Sequence, residues 1–168
     1  MIFKEAYEEY FSELFKFGYQ IGLSEEESKD IVQDAFLKLE KALRNNHTEI
    51  ENPKAWLYKV VYRDSRTFKK RVENHRRINK EFSQQIYYNS KEDQEQEYDE
   101  EEKRQILLSE ISKLPEKEGL ILLLQFDNLS YKEISEVLEI NINSIGSYIS
   151  RARKALLNNI KTKYNELF

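Results

Sequence analysis

An all-α chain of two small domains is what this sequence predicts, on three observations. Apolar residues recur at three- and four-residue intervals along nearly all of the 168 residues. Only 4 glycines and 2 prolines are present, too little turn chemistry for a sheet protein. After Phe82 the helical pattern fades into an acidic run, Ser90 to Glu102, which reads as a flexible linker. The expected divisions are a domain over 1–80, an acidic linker over 81–104 and a helix-turn-helix domain over 105–168.

The first helix is expected from about Phe3 to Gln20, with Phe3, Tyr7, Tyr10, Phe11, Leu14, Phe17 and Ile21 as an aromatic-rich inner stripe. Gly22 suits a left-handed helix end. Ser24 and Glu27 have the spacing of a capping box, which opens a second helix. Ile31, Ala35, Phe36, Leu39 and Leu43 mark its buried face, while Asp30, Gln33, Asp34, Lys38 and Lys41 lie outside. A polar loop from Arg44 to Asn52 follows, and Pro53 fits the first turn of a third helix. In that helix Trp56, Val60, Val61 and Phe68 interleave with Lys59, Arg63, Arg66, Lys69, Lys70 and Arg71. Such a pattern is compatible with a solvated face, a membrane-surface helix or a nucleic-acid contact. Its moderate hydrophobicity disfavours the membrane, and cations beside rings suit phosphates beside unpaired bases.

Past the linker, a helix carrying Ile106, Leu107, Leu108 and Ile111 stops at Leu114-Pro115. Leu120 to Phe126 reads as a short buried helix. Ser130 and Glu133 form another capping box, and Ile134, Val137 and Leu138 give the helix after it one apolar face. Glu139-Ile140-Asn141 breaks the pattern, and Asn141 can cap a last helix. There Ile145, Ile149, Ala152 and Leu156 face inward, leaving Ser144, Ser147, Tyr148, Arg151 and Lys154 outside. Two short helices about a tight turn, the second ending in cations, read as a helix-turn-helix.

Charge supports this reading of two separate contacts. The net charge is −4, but residues 54–80 hold 10 basic and 2 acidic side chains, and 141–163 hold 5 basic and no acidic ones. Residues 1–53 are acidic, with 6 basic against 12 acidic. Two basic patches between acidic surfaces point to two nucleic-acid contacts and a basic partner. With no cysteine there is no disulfide or thiolate chemistry, and a reducing compartment is expected. No apolar run approaches the ~18 residues that span a bilayer, and the acids in MIFKEAYEEYF are foreign to a signal peptide. No paired nucleophile and base, glycine-rich phosphate loop or metal-ligand cluster stands out, and His47 has no partner at ligand spacing. Neither enzyme activity nor a cofactor or metal is expected.

Several blocks together resemble the RNA polymerase sigma factors of the extracytoplasmic-function group in the sigma-70 family. They are Ile31-Val32-Gln33-Asp34-Ala35-Phe36-Leu37-Lys38-Leu39 and Pro53-Lys54-Ala55-Trp56-Leu57-Tyr58-Lys59-Val60 in the first half. In the second half they are Leu114-Pro115, Leu129-Ser130-Tyr131-Lys132-Glu133-Ile134 and Ser150-Arg151-Ala152-Arg153-Lys154-Ala155-Leu156. The resemblance implies a promoter-specificity subunit that binds core polymerase and reads −35 and −10 promoter elements. Asp30, Gln33, Asp34 and Lys38 would contact the clamp coiled coil of the polymerase large subunit. Asn45, Asn46, Trp56, Lys59, Arg63, Arg66 and Lys70 would serve the −10 element, where binding energy offsets the few kcal/mol lost on unstacking a base. Asn143, Ser144, Ser147 and Tyr148 would face base edges of the −35 duplex, with Arg151 and Lys154 on phosphates.

The family further implies an anti-sigma partner and a cytoplasmic location in a bacterium, and it leaves two readings of the linker open, an inert tether or a segment whose Glu95 to Glu102 mimic an RNA backbone inside polymerase. Glu40, Arg63, Thr67, Glu139 and Gly146 depart from the family pattern; Glu139 stands where the turn usually has glycine. The alternative is an autonomous helix-turn-helix regulator with an N-terminal sensing or dimerisation half.

Overall fold

The computed structural model describes residues 3–44, 50–78 and 100–164. Among these, all regular structure is helical: α1 (Phe3–Gln20), α2 (Glu25–Arg44), α3 (Pro53–Ile78), α4 (Glu100–Ser112), α5 (Glu116–Phe126), α6 (Tyr131–Leu138) and α7 (Ile142–Lys163). Helices α1, α2 and α3 pack on one another as a first module; α4, α5, α6 and α7 form a second, and α3 also packs against α6. No described helix is long and apolar enough to cross a membrane.

Local chemistry sets the helix ends. Glu27 N–H donates to Ser24 Oγ at 3.2 Å, and Ser24 N–H donates to the Glu27 carboxylate at 2.7 Å, closing the expected capping box. Gly22 between α1 and α2 has φ +92°, a conformation that strains any other residue. The Lys69 ammonium donates to the Ile21 carbonyl beside it and so fastens α3 to that turn.

The core of the first module is the stripe Val32, Ala35, Phe36 and Leu39 of α2 set against Ala6, Leu14 and Phe17 of α1 and Leu57, Tyr58, Val60 and Val61 of α3. The Phe36 ring lies 6.2, 4.9 and 6.3 Å from the rings of Phe3, Tyr7 and Phe11. Leu43, expected inside, is 38% exposed because the buried stripe stops one turn short of the helix end. Val32, outside the expected face, is fully buried.

In the second module Ile121 and Leu124 of α5, Ile134 and Val137 of α6, and Ile145, Ile149, Ala152 and Leu156 of α7 bury together. Helix α4 begins at Glu100, ahead of the expected domain start at 105. The amide dipoles of a helix N-terminus favour acidic residues, so Glu100 to Glu102 suit a first turn as well as a linker. The remaining expected linker, including Glu95 to Asp99, lies outside the described residues.

Glu110 of α4 is fully buried, and one of its oxygens accepts from Lys113 at 2.6 Å and Lys163 at 3.3 Å. Burial alone pushes its carboxyl up, but the two ammonium groups outweigh it and hold the carboxyl below its ordinary value. A depressed carboxyl contributes stability above its unfolded value of 4.5, and that stability is lost as pH falls through the folded value. Replacing both lysines by methionine leaves burial unopposed. The acid-unfolding midpoint should then move up in pH, with a loss of about 1–2 kcal/mol at neutral pH given the partial exposure of both lysines. Circular dichroism during an acid titration measures both; an unmoved midpoint would show that the lysines do not hold this charge.

Candidate polymerase and nucleic-acid interfaces

Asp30, Gln33, Asp34 and Leu37 follow helical spacing along one outward face of α2, and all four are exposed. Leu37, at 51% exposure, is a large apolar side chain amid polar ones. It was legible only as part of the family block, because periodicity alone says nothing about which outward residue is apolar for a reason. Lys38, expected on the same face, instead pairs with Asp64 of α3 and ties the two helices together while staying partly exposed.

The start of α3 is capped by Asn52, whose Oδ1 accepts from Ala55 N–H at 3.0 Å. Trp56 is half-buried and packs against the core, so it serves the first module as an anchor while keeping an exposed part. Arg63, Arg66 and Lys70 are exposed along one face, and the Arg66 guanidinium lies 5.7 Å from the centre of the Tyr62 ring. Together with Lys59, Tyr62 and Thr67 they form one wall of a cleft whose other wall is Val137, Leu138 and Glu139 of the helix-turn-helix. Asn45 and Asn46 lie outside the described residues. Lys69, one of the basic residues of this helix, is turned to the Ile21 carbonyl rather than this cleft, and burial pulls its ammonium below its ordinary value.

The helix-turn-helix is built as its sequence predicts. Ser130 Oγ accepts from Glu133 N–H at 3.3 Å, and the Glu133 carboxylate accepts from Ser130 N–H at 2.6 Å. Asn141 Oδ1 caps α7 by accepting from Asn143 N–H at 2.9 Å. Between them Glu139 adopts φ 54°, ψ 45°, a left-handed conformation in which glycine is favoured. Ser135 Oγ donates to the Ile140 carbonyl at 2.6 Å and closes the turn.

On α7, Asn143, Ser147, Arg151 and Lys154 are exposed, while Ser144 and Tyr148 are half-buried. The Ser147 hydroxyl donates back to the Ser144 carbonyl at 2.8 Å. The Arg151 guanidinium stacks 4.7 Å above the Tyr148 ring, and its Nε donates to Glu118 of α5 at 3.1 Å. That arrangement fixes the plane of the guanidinium and leaves its terminal amines for an outside acceptor. Arg153 donates to Gln125 at 3.1 Å and so fastens α7 to α5. Gly146 is exposed, and a Cβ built on it meets nothing within 4 Å, so packing does not require glycine there.

Apart from Lys59, the residues of the contact between the modules have no binding role in the sequence analysis. Lys54 donates to the Asp127 carbonyl at 2.8 Å and pairs with Glu13 at 3.1 Å. The hydroxyl of fully buried Tyr58 donates to the Asp127 carboxylate at 2.9 Å. Asn52 donates to Glu133 at 2.6 Å, and Lys59 pairs with Glu139 at 3.0 Å. Glu139, which stands where the family usually has a turn glycine, thus supplies a side chain to this contact.

Among the described residues no group of three or more His, Cys, Asp or Glu is placed to hold a metal. The chain matches the family model for sigma-70 region 2 over residues 6–77 and that for sigma-70 region 4 over residues 104–156. It is 25% identical over 166 residues to the RNA polymerase sigma factor YlaC of Bacillus subtilis, an alignment covering 97% of this chain and 94% of that protein. Its fold is similar to that of the sigma factor RpoE in a co-crystal structure with the anti-sigma factor NepR from Bartonella quintana. There the TM-score is 0.70 at 20% identity, covering 96% of this chain and 98% of that one. With both sigma-70 regions matched in order on an all-helical frame, the chain belongs to the sigma-70 family, in its extracytoplasmic-function group, and is a non-enzymatic promoter-specificity subunit of RNA polymerase.

Proposed function

We propose that the two modules divide promoter reading between them, with α2 docking on polymerase. The exposed face Asp30, Gln33, Asp34 and Leu37 meets the clamp coiled coil, with the apolar Leu37 inside a polar rim. The α3 wall of Lys59, Arg63, Arg66 and Lys70, with Trp56 and with Asn45 and Asn46 before it, takes the −10 element and holds an unstacked base. The second module reads the −35 duplex through Asn143, Ser144, Ser147 and Tyr148, with Arg151 and Lys154 on phosphates. The observation that carries this reading is the separation of two cationic faces, one on each matched region, with the α7 face open to solvent.

The solved relative is bound to an anti-sigma factor, and an anti-sigma partner is proposed for this chain too, acting in the bacterial cytoplasm. Neither module needs high affinity alone, because polymerase docking raises the effective concentration of both at a promoter. Run-off transcription from genomic fragments, with core polymerase and the purified chain, tests the proposal. Selective transcripts that disappear with Arg151→Ala are the expected result. Tight duplex binding without any association with core would mark an autonomous regulator instead.

A further inference from the structure

Arg151 is held differently from Lys154, the other cation of α7 proposed to meet phosphates. Its guanidinium lies 4.7 Å from the centre of the Tyr148 ring, and its Nε donates to the Glu118 carboxylate of α5 at 3.1 Å. Lys154, exposed one turn along α7, has no such partner among the described residues. The Glu118 side chain is 15% exposed and that of Arg151 57%, so the acid is sheltered while the guanidinium is open to solvent. We propose that Glu118 is a positioning residue for −35 binding. With the Tyr148 ring it fixes the Arg151 fork in advance, so that both terminal amines meet one phosphate without the side chain being ordered on contact.

An acid beside a surface that meets DNA carries an electrostatic cost, because its charge repels phosphate. Order in the arginine offsets that cost. A solvated arginine side chain loses rotamer freedom when it binds, and one already seated on a ring and a carboxylate has lost much of it beforehand. Because Nε is the atom bonded to Glu118, the two terminal nitrogens stay side by side, the geometry of a bidentate phosphate contact. The seat is built into the packing of the module. Gly119, next to Glu118, is buried, and a Cβ built on it would lie 3.0 Å from the Ile111 carbonyl, so α5 starts in close contact with α4. Two turns along α5, Gln125 accepts from Arg153 at 3.1 Å, a second tie between α5 and α7. Glu118 also stands in the first turn of α5, where the helix dipole favours an acid, so its charge has a structural use that the test must separate. The inference rests on the placement of α7 against duplex DNA proposed above.

The test compares Glu118→Ala with Glu118→Gln in the full chain. Both lose the charge, and with it the same interaction with the helix dipole, but only glutamine keeps an oxygen that accepts from Arg151 Nε. Binding is read with a fluorescein-labelled pool of short random-sequence duplexes at low salt, where phosphate contacts dominate. Glu118→Ala should weaken binding about fivefold, the cost of ordering one long side chain on contact, and Glu118→Gln should restore it to at least the native level. In an Arg151→Ala background, Glu118→Ala should weaken binding no further. Magnetic relaxation of the Arg151 Nε, whose signal is identified by its loss in Arg151→Ala, should report a rigid group in the unaltered chain and in Glu118→Gln. In Glu118→Ala it should report a mobile one. Unchanged or tighter binding by Glu118→Ala would show that the acid acts through its charge alone and overturns the inference. Equal weakening by Ala and Gln, with equally lowered melting temperatures, marks a helix-start effect and overturns it too. A rigid Nε with duplex affinity unmoved by Arg151→Ala would instead take Arg151 off the DNA, a failure of the α7 placement rather than of the seat.

Discussion

Replacing Phe36 by alanine is expected to destabilise the first module by about 3–5 kcal/mol, the usual range for deleting a buried phenylalanine. The ring is 1% exposed and meets three aromatic rings from α1, so few neighbours can move in to fill the space. A loss of that size is comparable to the whole stability of many small domains, about 5–15 kcal/mol. The only tryptophan, Trp56, lies in α3 of the same module and gives a selective optical probe. Its thermal transition should fall steeply or vanish in the variant, while the helical signal of the second module persists. Coincident loss of both signals would show instead that the two modules unfold as one unit through the α3–α6 contact.

Particular residues show why the sequence was informative about the fold and less so about the site. Helix starts were legible because a cap is local chemistry. Ser24 with Glu27 and Ser130 with Glu133 make their reciprocal hydrogen bonds within three residues of sequence. Inner faces were legible wherever periodicity was unbroken, as for Ile145, Ile149, Ala152 and Leu156, all buried. Leu43 keeps the periodicity but not the burial, because a periodic pattern does not say where its packing partner ends. Glu110 could not be foreseen as buried, since one of its two compensating ammonium groups, Lys163, is 53 residues away.

The cations of α3 show the limit most clearly. In sequence Lys54, Lys59, Lys69 and Lys70 are four similar charges on one helix. In the structure Lys54 and Lys59 reach the second module, Lys69 closes the α1–α2 turn, and Lys70 lines the cleft. Only the tertiary arrangement distinguishes a charge already used inside the chain from one offered to a ligand. On α7 Arg153, though exposed like Lys154, is likewise bonded within the chain, to Gln125.

Reversing the charge of the α2 face, with Asp30→Lys and Asp34→Lys together, should weaken binding to core polymerase about 100-fold, by analogy with charged residues at the centre of other interfaces. Both aspartates are exposed and stand beyond the first turn of α2, so losing them costs little dipole stabilisation, and lysine is a good helix former. The variant should therefore keep its melting temperature and its affinity for duplex −35 DNA, and lose run-off transcription. That combination separates a docking defect from a folding defect, which would lower every signal. Leu37→Ala on the same face should add a smaller loss, insensitive to salt, whereas the loss from charge reversal should shrink as salt is raised. Titration of labelled chain with core polymerase at two ionic strengths reads both. Undiminished binding by the double variant would move polymerase docking off this face of α2 and leave Leu37 exposed for another reason.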